Sequence, residues 1–372
     1  MSHTTQSHVV LVGGGHAHLQ VIAAAAALQA RGARVSVIAP RTFWYSGLAT
    51  AVLGGSHQPA DDQIDIADLA ARHGVAWVDE RVIAVDAAGH RLQLGDGRWL
   101  DFDLVSFNVG SEVALPAGLA PAPDCWPVKP ISNMAALREW LEAGPGRERK
   151  RVVVAGGGPT GCEVTANLAA LAERVGLDLE LALVHQGARL LPSAPAGAGR
   201  RLERNLQRRG VAVHHGNGLT ADADGRPGVA GSALAADAWV FATGLKAAPL
   251  AQTLAADDSD GIPVTGALHH PAHPDLFAAG DCAHFLPRSL PKVGVFGVRQ
   301  GPVLIDNLLA RLEDRPLRTF RPQARYLTIL NLGDGTGLAL RGSLWWHGRL
   351  ALRLKHRLDR GFLQNHRCGR PI

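Results

Sequence analysis

Two glycine-rich turns, each lying between a short apolar run and a helical pattern, predict an α/β fold with two parallel sheets. The first turn, at residues 13–15, follows the apolar residues 8–12, and the second, at residues 156–161, follows residues 151–155. Apolar runs of this length are typical of strands buried on both faces. Because strand, turn, helix and strand recur in the same order, we expect two Rossmann-like, doubly wound domains with small β insertions and a C-terminal helical tail.

The first unit is predicted to contain a strand at residues 8–12, a helix at residues 16–31 that ends before Gly32, and a strand at residues 34–39. The helix is rich in alanine, which has the highest intrinsic helix propensity. Together these elements form a βαβ unit, whose usual length is about 30 residues. The second unit and its surroundings predict strands at 151–155, 179–184, 238–242 and 276–279, helices at 162–174 and 299–311, and short β segments at 75–100 and 211–234.

Two Pro-rich stretches, at residues 115–130 and 257–274, are interpreted as crossings between domains. Residues 1–113 and 260–320 are therefore expected to form a discontinuous first domain, and residues 114–259 the second. Residues 321–372 form the predicted C-terminal region.

The composition is that of a soluble α/β protein, with 47% hydrophobic residues, 5% aromatic residues and 43 glycines. No apolar run approaches ~18 residues, the length that a membrane-spanning helix needs. The first 30 residues contain no lysine or arginine, whereas a secretory signal begins with a basic segment. We therefore expect a cytoplasmic protein. The formal net charge of +5 is concentrated after residue 341, where Asp359 is the only acid.

The first glycine turn suits a pyrophosphate because the amide groups at a helix N-terminus attract anions. Gly13 permits the tight turn and Gly15 lets phosphates approach the backbone, but His18 stands at the third glycine position. Alone, such a turn could also be an ordinary strand-to-helix connection. The second turn keeps the full spacing. Later, Asp281 follows a predicted strand, where a carboxylate can hold the ribityl and phosphate region of a flavin.

Five segments carry a resemblance to a known superfamily: residues 13–18, 45–47, 107–111, 290–300 and 342–362. On these segments the chain resembles the flavoproteins with two dinucleotide-binding domains of the pyridine nucleotide–disulfide oxidoreductase superfamily. Within it, the chain resembles type II NADH dehydrogenases and, more closely, the flavoprotein branch found alone or fused to selenophosphate synthetase. The resemblance implies FAD on the first unit and Asp281, and NADH or NADPH over the second unit.

The glycine turns and the resemblance together give the expected cofactor-binding residues. They are Gly13, Gly14, Gly15, His16, His18, Pro40, Arg41, Tyr45, Ser46, Gly110, Gly156, Gly158, Gly161, His185, Gly244, Gly280 and Asp281.

Two departures from the superfamily concern the ribose sites. Members commonly end the second strand of the FAD unit with Glu, where this chain has Ala39-Pro40-Arg41. The matching place in the second unit is His185-Gln186, without the carboxylate that binds the ribose of NAD. Arg189 nearby could favour the 2′-phosphate of NADPH. The choice of NADH or NADPH therefore stays open, as does the alternative that the second unit binds no nucleotide productively.

The four cysteines, Cys125, Cys162, Cys282 and Cys368, form no CxxC pair and no zinc spacing. Disulfide reductases of the superfamily usually carry a cysteine pair soon after the FAD unit, but residues 41–47 contain none. We therefore expect electrons to leave the flavin directly for a diffusible acceptor. Cys162 keeps two interpretations, a redox thiol at a helix N-terminus or a small packed residue.

Three residues are candidates for catalysis. Glu163 matches a Glu that lies near the nicotinamide and the flavin in type II NADH dehydrogenases, although an acid in the first turn also stabilises a helix. Lys292 and Gln300 could stabilise negative charge on the reduced flavin or face the acceptor, with a solvated surface lysine as the alternative. His16 and His18 would not both project toward one metal ion. We expect them to form hydrogen bonds beside FAD, and we expect no metal site.

The C-terminal tail predicts a basic amphipathic helix. Its apolar set is Trp346, Leu350, Leu354, Leu358 and Phe362, and its basic set is Arg349, Arg353, Arg357 and Arg360. Such a helix suits an anionic membrane surface. The alternative is that the apolar stripe packs on the FAD domain or on a second subunit, which would make a homodimer.

These observations predict an FAD-dependent NAD(P)H dehydrogenase that passes a hydride from nicotinamide to flavin and then reduces a quinone or a similar small acceptor. Positioning of the nicotinamide and flavin rings and stabilisation of the anionic flavin would account for most of the catalytic rate enhancement. We expect no nucleic-acid partner. One alternative is a sulfide- or selenium-linked flavin oxidoreductase, and another is a non-enzymatic flavin-binding redox sensor or partner subunit.

Overall fold

Parallel pairing between apolar strands builds two five-stranded sheets. The structure, a computed structural model, describes residues 6–120, 122–143, 148–229, 234–255 and 260–367. In the first 113 residues the elements are β1 (His8–Val12), α1 (His16–Ala23), α2 (Ala25–Gln29), β2 (Arg34–Ile38), β3 (Thr42–Trp44), α3 (Ser46–Leu53), β4 (Gln63–Asp65), α4 (Ile66–Arg72), β5 (Ala76–Val78), β6 (Val82–Asp86), β7 (Arg91–Leu94), β8 (Trp99–Asp101), β9 (Leu104–Phe107) and β10 (Ser111–Val113).

The elements that follow up to residue 247 are β11 (Cys125–Pro127), α5 (Asn133–Glu142), β12 (Lys150–Ala155), α6 (Pro159–Val175), β13 (Leu179–His185), α7 (Ala196–Arg208), β14 (Ala212–His215), β15 (Leu219–Ala221), β16 (Pro227–Val229), β17 (Ala238–Phe241) and β18 (Leu245–Ala247). The last elements are α8 (Pro249–Thr253), β19 (Ile262–Val264), β20 (Leu276–Ala278), β21 (Ala283–Phe285), α9 (Gly294–Leu312), β22 (Thr328–Asn331), β23 (Gly337–Arg341), β24 (Leu344–Gly348) and α10 (Arg349–Arg367).

The first sheet has the strand order β20-β9-β1-β2-β5 and the second the order β11-β17-β12-β13-β14, and all neighbours within each are parallel. Strands β1 and β12 are buried over most of their length, as is typical of strands in a covered parallel sheet. The predicted fold class is confirmed. The first sheet takes β20 from a segment far along the chain, and the second uses strands between residues 125 and 241.

An antiparallel ribbon of β10 and β18 joins the two sheets. Glu112 of β10 and Lys246 of β18 form an ion pair of 2.9 Å across this ribbon. Small antiparallel pieces, β6-β7-β8 and β15-β16, form the β insertions. Residues 230–233, within the predicted β segment 211–234, and residues 257–259, within the predicted crossing 257–274, lie outside the described residues.

Several predicted bounds were wrong. The predicted helix 16–31 is two helices, α1 and α2, with a break at Ala24. Helix α9 begins at Gly294 rather than at residue 299, and its backbone is helical through Gly297. Trp345 and Trp346 belong to strand β24, and the tail helix starts only at Arg349. Among the described residues, no helix combines the length and the apolar character needed to cross a bilayer.

The three-stranded sheet β22-β23-β24 packs one face on the second domain and carries helix α10 on the other. Leu330 and Leu338 belong to the core of the second domain, whereas Ile329 and Ala339 pack with Ala351 of α10. Successive side chains of a strand point to opposite faces of a sheet. One face of this small sheet therefore packs on the second domain and the other packs on α10.

Candidate functional site

The first glycine turn packs against Asn108, at the end of β9. Gly13 has a φ of +90°, and a Cβ atom on it would lie 2.7 Å from the Asn108 carbonyl oxygen. A Cβ atom on Gly15 would lie 2.4 Å from Asn108 Oδ1, and one on Gly14 would lie 2.1 Å from Ile66 Cδ1. Gly13 and Gly15 are therefore required by the close approach of the Asn108 backbone, whereas at Gly14 the end of the flexible Ile66 side chain would have to move.

Asn108 caps the N-terminus of α1. Its Oδ1 accepts hydrogen bonds from the amides of Ala17 (3.0 Å) and His18 (3.3 Å), and its Nδ2 donates to the carbonyl of Ala279 (2.6 Å). The amides of Gly14 and His16 form no hydrogen bond with the described residues. These two donors at the helix N-terminus are available to an anion such as a pyrophosphate.

His18 fills the gap between α1 and β9 where the dinucleotide pattern has a glycine. Its side chain is fully buried, with Nδ1 2.6 Å from the Gly13 carbonyl oxygen and Nε2 2.8 Å from Ser106 Oγ. Burial lowers the pKa of His18 to about 4, although the Gly13 carbonyl opposes this. The ring is thus neutral at pH 7, with Nδ1 donating to Gly13 and Nε2 accepting from Ser106. Both ring nitrogens are engaged within the protein, so His18 holds the turn in shape.

His16 points in a different direction, into an aromatic cluster. Its ring lies 5.2 Å from that of Phe43, 6.0 Å from that of Tyr45 and 5.3 Å from that of Phe362. Burial lowers the pKa of His16 to about 4, although the carboxylate of Asp281 raises it. His16 is therefore an uncharged ring beside the first glycine turn at neutral pH.

The end of β2, where the adenosine ribose is expected, carries an exposed arginine whose charge is paired with Asp65. Arg41 Nε donates to Asp65 Oδ2 at 2.9 Å, and Trp77 Nε1 donates to the carbonyl of Ala39 at 3.0 Å. Pro40 is exposed between them. Because Arg41 is already paired, its predicted contact with FAD would require sharing the guanidinium with Asp65.

Asp281 lies on a short turn after β20 and is the most strongly held carboxylate near the first site. Its Oδ2 accepts hydrogen bonds from Lys129 Nζ (2.8 Å) and Ser111 Oγ (2.7 Å). Burial opposes ionisation, but the Lys129 ammonium and these hydrogen bonds outweigh it and hold the pKa of Asp281 below its usual value. Oδ1 forms no hydrogen bond with the described residues. One carboxylate oxygen is therefore fixed by the protein and the other is available.

Lys292 and Gln300 both hold the turn that carries Asp281. Lys292 Nζ donates to the carbonyl of Asp281 at 2.7 Å and lies 3.2 Å from Asp260 Oδ2. Gln300 is buried, and its Oε1 accepts from the amide of Gly280 at 2.6 Å. Lys292 is not a solvated surface lysine, because only 12% of its side chain is exposed. A direct role of either residue toward flavin or acceptor remains a prediction.

The segment from Tyr45 to Gly47 is held by helix α10. Lys355 Nζ donates to the Gly47 carbonyl at 2.6 Å, and the Tyr45 hydroxyl donates to Asp359 Oδ1 at 2.9 Å. The Tyr45 ring also stacks on Phe362, with centroids 4.6 Å apart. Ser46, predicted to bind FAD, begins α3 in this segment. The C-terminal helix is thus a wall of the first site.

The second glycine turn combines two glycines required by packing with Gly158, which faces open space, as does Gly244 in the loop after β17. Gly156 has a φ of +128°, and a Cβ atom on it would lie 2.2 Å from the Ala242 carbonyl oxygen. A Cβ atom on Gly161 would lie 1.9 Å from the Gly156 carbonyl oxygen. By contrast, a Cβ atom on Gly158 or Gly244 would have no neighbour within 4 Å. No side chain caps α6, whose N-cap is Gly158, so this helix N-terminus is open to an anion.

The end of β13 carries no free charged side chain among the described residues. His185 Nε2 lies 2.8 Å from the Arg189 carbonyl oxygen, and its ring packs between Gly157 and Gly187. The Arg189 guanidinium donates to three backbone carbonyls of its own loop, those of Leu191, Pro192 and Ala194. Arg189 therefore closes the loop, and the structure gives no reason to assign it to a 2′-phosphate.

Glu163, in the first turns of α6, lies between the second domain and the C-terminal region. Its Oε1 accepts from Thr50 Oγ1 at 3.1 Å and from the Asn331 amide at 2.8 Å. Burial raises its pKa, although the Lys355 ammonium and these hydrogen bonds oppose the shift. The residue is partly exposed, so a nicotinamide or flavin ring could approach Glu163, as its predicted role requires.

Cys162 is expected to be unreactive in the folded protein. The thiol is fully buried, and burial raises its pKa to about 12, so the nucleophilic thiolate is scarce at neutral pH. Alkylation with iodoacetamide at pH 8, followed by mass spectrometry, should leave Cys162 unmodified in the native protein and modify it in urea. Partly exposed Cys125 serves as the accessible control. Rapid native labelling of Cys162 would contradict this prediction. Cys368 lies outside the described residues.

Sequence reasoning missed three residues of the first site: Asn108, Ser111 and Lys129. Asn108 and Ser111 stand in the segment 107–111 that carried the resemblance, beside the predicted Gly110, which has a φ of +77° and open space around its Cβ position. Lys129 gave no local signal, because it stands in the Pro-rich crossing, 152 residues from Asp281.

Comparisons with known proteins show what the chain is similar to. The pyridine nucleotide-disulphide oxidoreductase family matches residues 7–301. The chain is 28% identical over 299 residues to an NADH dehydrogenase-like protein of Mycobacterium tuberculosis, covering 75% of this chain and 74% of the relative. It is 26% identical over 206 residues to the type II NADH:quinone oxidoreductase of Haemophilus influenzae, covering 50% of this chain and 46% of the relative.

Among solved structures, the chain is similar to the sulfide:quinone oxidoreductase from Aquifex aeolicus, with a TM-score of 0.76 and 16% identity over 98% of this chain and 92% of that chain. At this identity the likeness concerns the fold. The cofactors used in the matching family are FAD and NAD(P)H, as predicted. The described residues fit them, because Asp281 Oδ1 and the space at Gly110 are available to FAD, and the open N-terminus of α6 is available to the nicotinamide nucleotide.

Proposed function

Because the chain belongs to the pyridine nucleotide-disulphide oxidoreductase family, we propose that it is an FAD-dependent NAD(P)H dehydrogenase that reduces a quinone or a similar small acceptor. The observation that carries the proposal is the second glycine turn. Its uncapped helix N-terminus and the open space at Gly158 and Gly244 offer a place for a second dinucleotide beside partly exposed Glu163. Bound FAD would accept a hydride and pass electrons on.

The small acceptor is supported by the absence of a usable dithiol among the described residues. Cys162 and Cys282 are both buried, and burial raises their pKa values to about 12 and about 11. Neither of these two thiols is poised as a nucleophile, so neither supports the sulfur- or selenium-linked alternative. The relatives named as NADH dehydrogenase-like and as NADH:quinone oxidoreductase point the same way.

Anaerobic reduction of the purified flavoprotein tests the proposal. Addition of NADH or NADPH should bleach the flavin absorbance near 450 nm, and a soluble quinone should restore it. A flavin that stays oxidised with both nucleotides would overturn the dehydrogenase and support the redox-sensor alternative. Bleaching without reoxidation by quinones would retain the dehydrogenase and reject the quinone acceptor.

We further propose that the outer face of α10 and β24 binds an anionic membrane surface on the inner side of the cytoplasmic membrane. Leu350 and Leu358 are 72% and 53% exposed, and Trp346 is 39% exposed. Trp346 pairs with Ala339, which packs on Ala351, so Trp346 lies on the same face of the small sheet as α10. Arginines flank this apolar patch, which suits an interfacial helix.

Replacement of both Leu350 and Leu358 with glutamate is expected to abolish binding to phosphatidylglycerol vesicles, because burial of two leucines contributes about 3 to 6 kcal/mol. Co-sedimentation measures the bound fraction. Ile83→Glu, at a 55% exposed position in β6, is the matched control and should bind as the unaltered protein does. Equal sedimentation of the double variant, or equal binding to neutral phosphatidylcholine vesicles, would refute the anionic-membrane proposal.

A further inference from the structure

A lysine from the crossing between the domains reaches the carboxylate expected to hold FAD. Lys129 lies between β11 and α5, the first elements of the second domain. Its Nζ is 2.8 Å from Asp281 Oδ2 and 2.6 Å from Ser111 Oγ, and Ser111 donates to the same carboxylate oxygen. The side chains of Lys129 and Asp281 are only 20% and 13% exposed.

The arrangement orients the Asp281 carboxylate. Two donors occupy Oδ2 and none of the described donors occupies Oδ1. Rotation of the carboxylate would break both bonds, and hydrogen bonds to a charged group are stronger than those between neutral groups. Asp281 is therefore held ready to accept a further hydrogen bond at Oδ1 without reorganising.

Lys129 is also the cation that faces this carboxylate. Lys292 approaches Asp281 only through the backbone carbonyl, and its charge is shared with Asp260. His16, another titratable neighbour, has its pKa lowered to about 4 by burial and is neutral at pH 7. Without Lys129, the site would present an uncompensated carboxylate to an anionic dinucleotide.

We propose that Lys129 is a positioning residue of the flavin site, which orients Asp281 and neutralises its charge so that the site accepts the negative charge of FAD and of its reduced form. The inference rests on the proposed binding of FAD, but not on the identity of the electron donor or acceptor. Removal of a positive charge makes binding of a negatively charged group nearby less favourable. A buried carboxylate without a paired cation is itself strongly unfavourable.

The same contact couples the two domains. The backbone of the Lys129 segment is fixed to the second domain by the bond from the Val128 amide to the Phe241 carbonyl, at 3.0 Å, and by Asn133 Nδ2 donating to the Pro127 carbonyl, at 2.8 Å. Movement of the second domain relative to the first would therefore shift the ammonium group away from Asp281.

Titration of the FAD-free protein with FAD, followed by the quenching of flavin fluorescence, tests the proposal in the absence of any electron donor. Lys129→Met should raise the Kd for FAD by about tenfold or more. The variant should also bind reduced FAD, relative to oxidised FAD, about tenfold less tightly than the unaltered protein does. This change lowers the midpoint potential of the two-electron couple by about 30 mV. Lys129→Arg should recover most of both effects. Lys246→Met, which breaks the exposed ion pair of the β10–β18 ribbon, should leave both unchanged.

An unchanged Kd and an unchanged midpoint potential in Lys129→Met would overturn the proposal. If that variant does not fold, Ser111→Ala tests the same arrangement by removing one donor to Oδ2. It should raise the Kd for FAD by a smaller factor, and no change would equally overturn the proposal. Since neither measurement uses NAD(P)H or quinone, a failure of the dehydrogenase proposal would appear separately, in the anaerobic reduction experiment.

Discussion

Gly158→Val is expected to lower the rate constant for flavin reduction by NAD(P)H at subsaturating nucleotide by about 100-fold, or about 2.7 kcal/mol. The position has a φ of −77° and a ψ of 178°, which valine adopts without strain. Its Cβ atom would have no neighbour within 4 Å, so the fold accommodates the larger side chain. The new side chain would occupy the space in which a pyrophosphate approaches the N-terminus of α6. Stopped-flow absorbance at 450 nm measures the effect.

Two other glycines separate binding from folding in this experiment. Gly361→Val, at a helical position of α10 with equally open space, is the matched control and should reduce at the normal rate. Gly161→Ala should instead destabilise the second domain, because its Cβ atom would lie 1.9 Å from a carbonyl oxygen. Bound FAD should remain in Gly158→Val. Normal reduction of that variant by both nucleotides would show that the second turn is not the donor site.

The contrast among these glycines shows what the sequence can predict about the site. Spacing identified both turns, because strand, turn and helix are adjacent in the chain and a dinucleotide site needs them in that order. Spacing could not separate Gly161, which is required by packing, from Gly158, which faces open space. That difference depends on the backbone path of the turn, which places the Gly156 carbonyl oxygen 1.9 Å from the Cβ position of Gly161 and leaves that of Gly158 without a neighbour within 4 Å.

His18 illustrates a compensation that no local pattern reveals. The sequence indicated an imperfect glycine turn, and the structure shows a buried imidazole bonded to Gly13 and to Ser106 of β9. Ser106 lies between apolar residues on β9. Its hydroxyl is the hydrogen-bond partner that allows a histidine at the third glycine position of the turn. The pair is 88 residues apart in sequence, so it becomes visible only once β1 and β9 are paired.

The tail helix was predicted correctly as a basic helix, but its buried face was not. The apolar stripe was expected either to pack on the protein or to face a membrane, and Leu350 and Leu358 are in fact exposed. Phe362 of that stripe is buried, and the buried face also contains Ala351, Lys355 and Asp359. Hydrophobic periodicity assigns charged residues to solvent, and it fails here because Tyr45 and Gly47 supply polar partners from the first domain.

Helix α10 thus has two functional faces. Its inner face holds the Tyr45–Gly47 segment through Lys355 and Asp359, and its outer face carries the exposed leucines and arginines. A buried ion pair is weak evidence for stability in itself, because desolvation offsets the attraction between the charges. Removal of one partner alone is a different matter, since it leaves the other charge buried and unpaired.

Asp359→Leu is therefore expected to release α10 at a cost of about 3 to 5 kcal/mol. The Lys355 ammonium, 3.2 Å from Asp359 Oδ2, would lose its counter-charge, and the Tyr45 hydroxyl would lose its acceptor. Hydrogen exchange with mass spectrometry should show protection of the α10 amides falling by more than about 100-fold. The double variant Lys355→Met/Asp359→Leu should regain most of that protection, because it removes the unpaired ammonium, while Glu163 keeps its hydrogen bonds from Thr50 and Asn331. Arg357→Ala, on the exposed side of the same helix, is the control. Equal loss of protection in the single and double variants would mean that the specific bonds to Tyr45 and Gly47, rather than charge pairing, hold the helix against the flavin site.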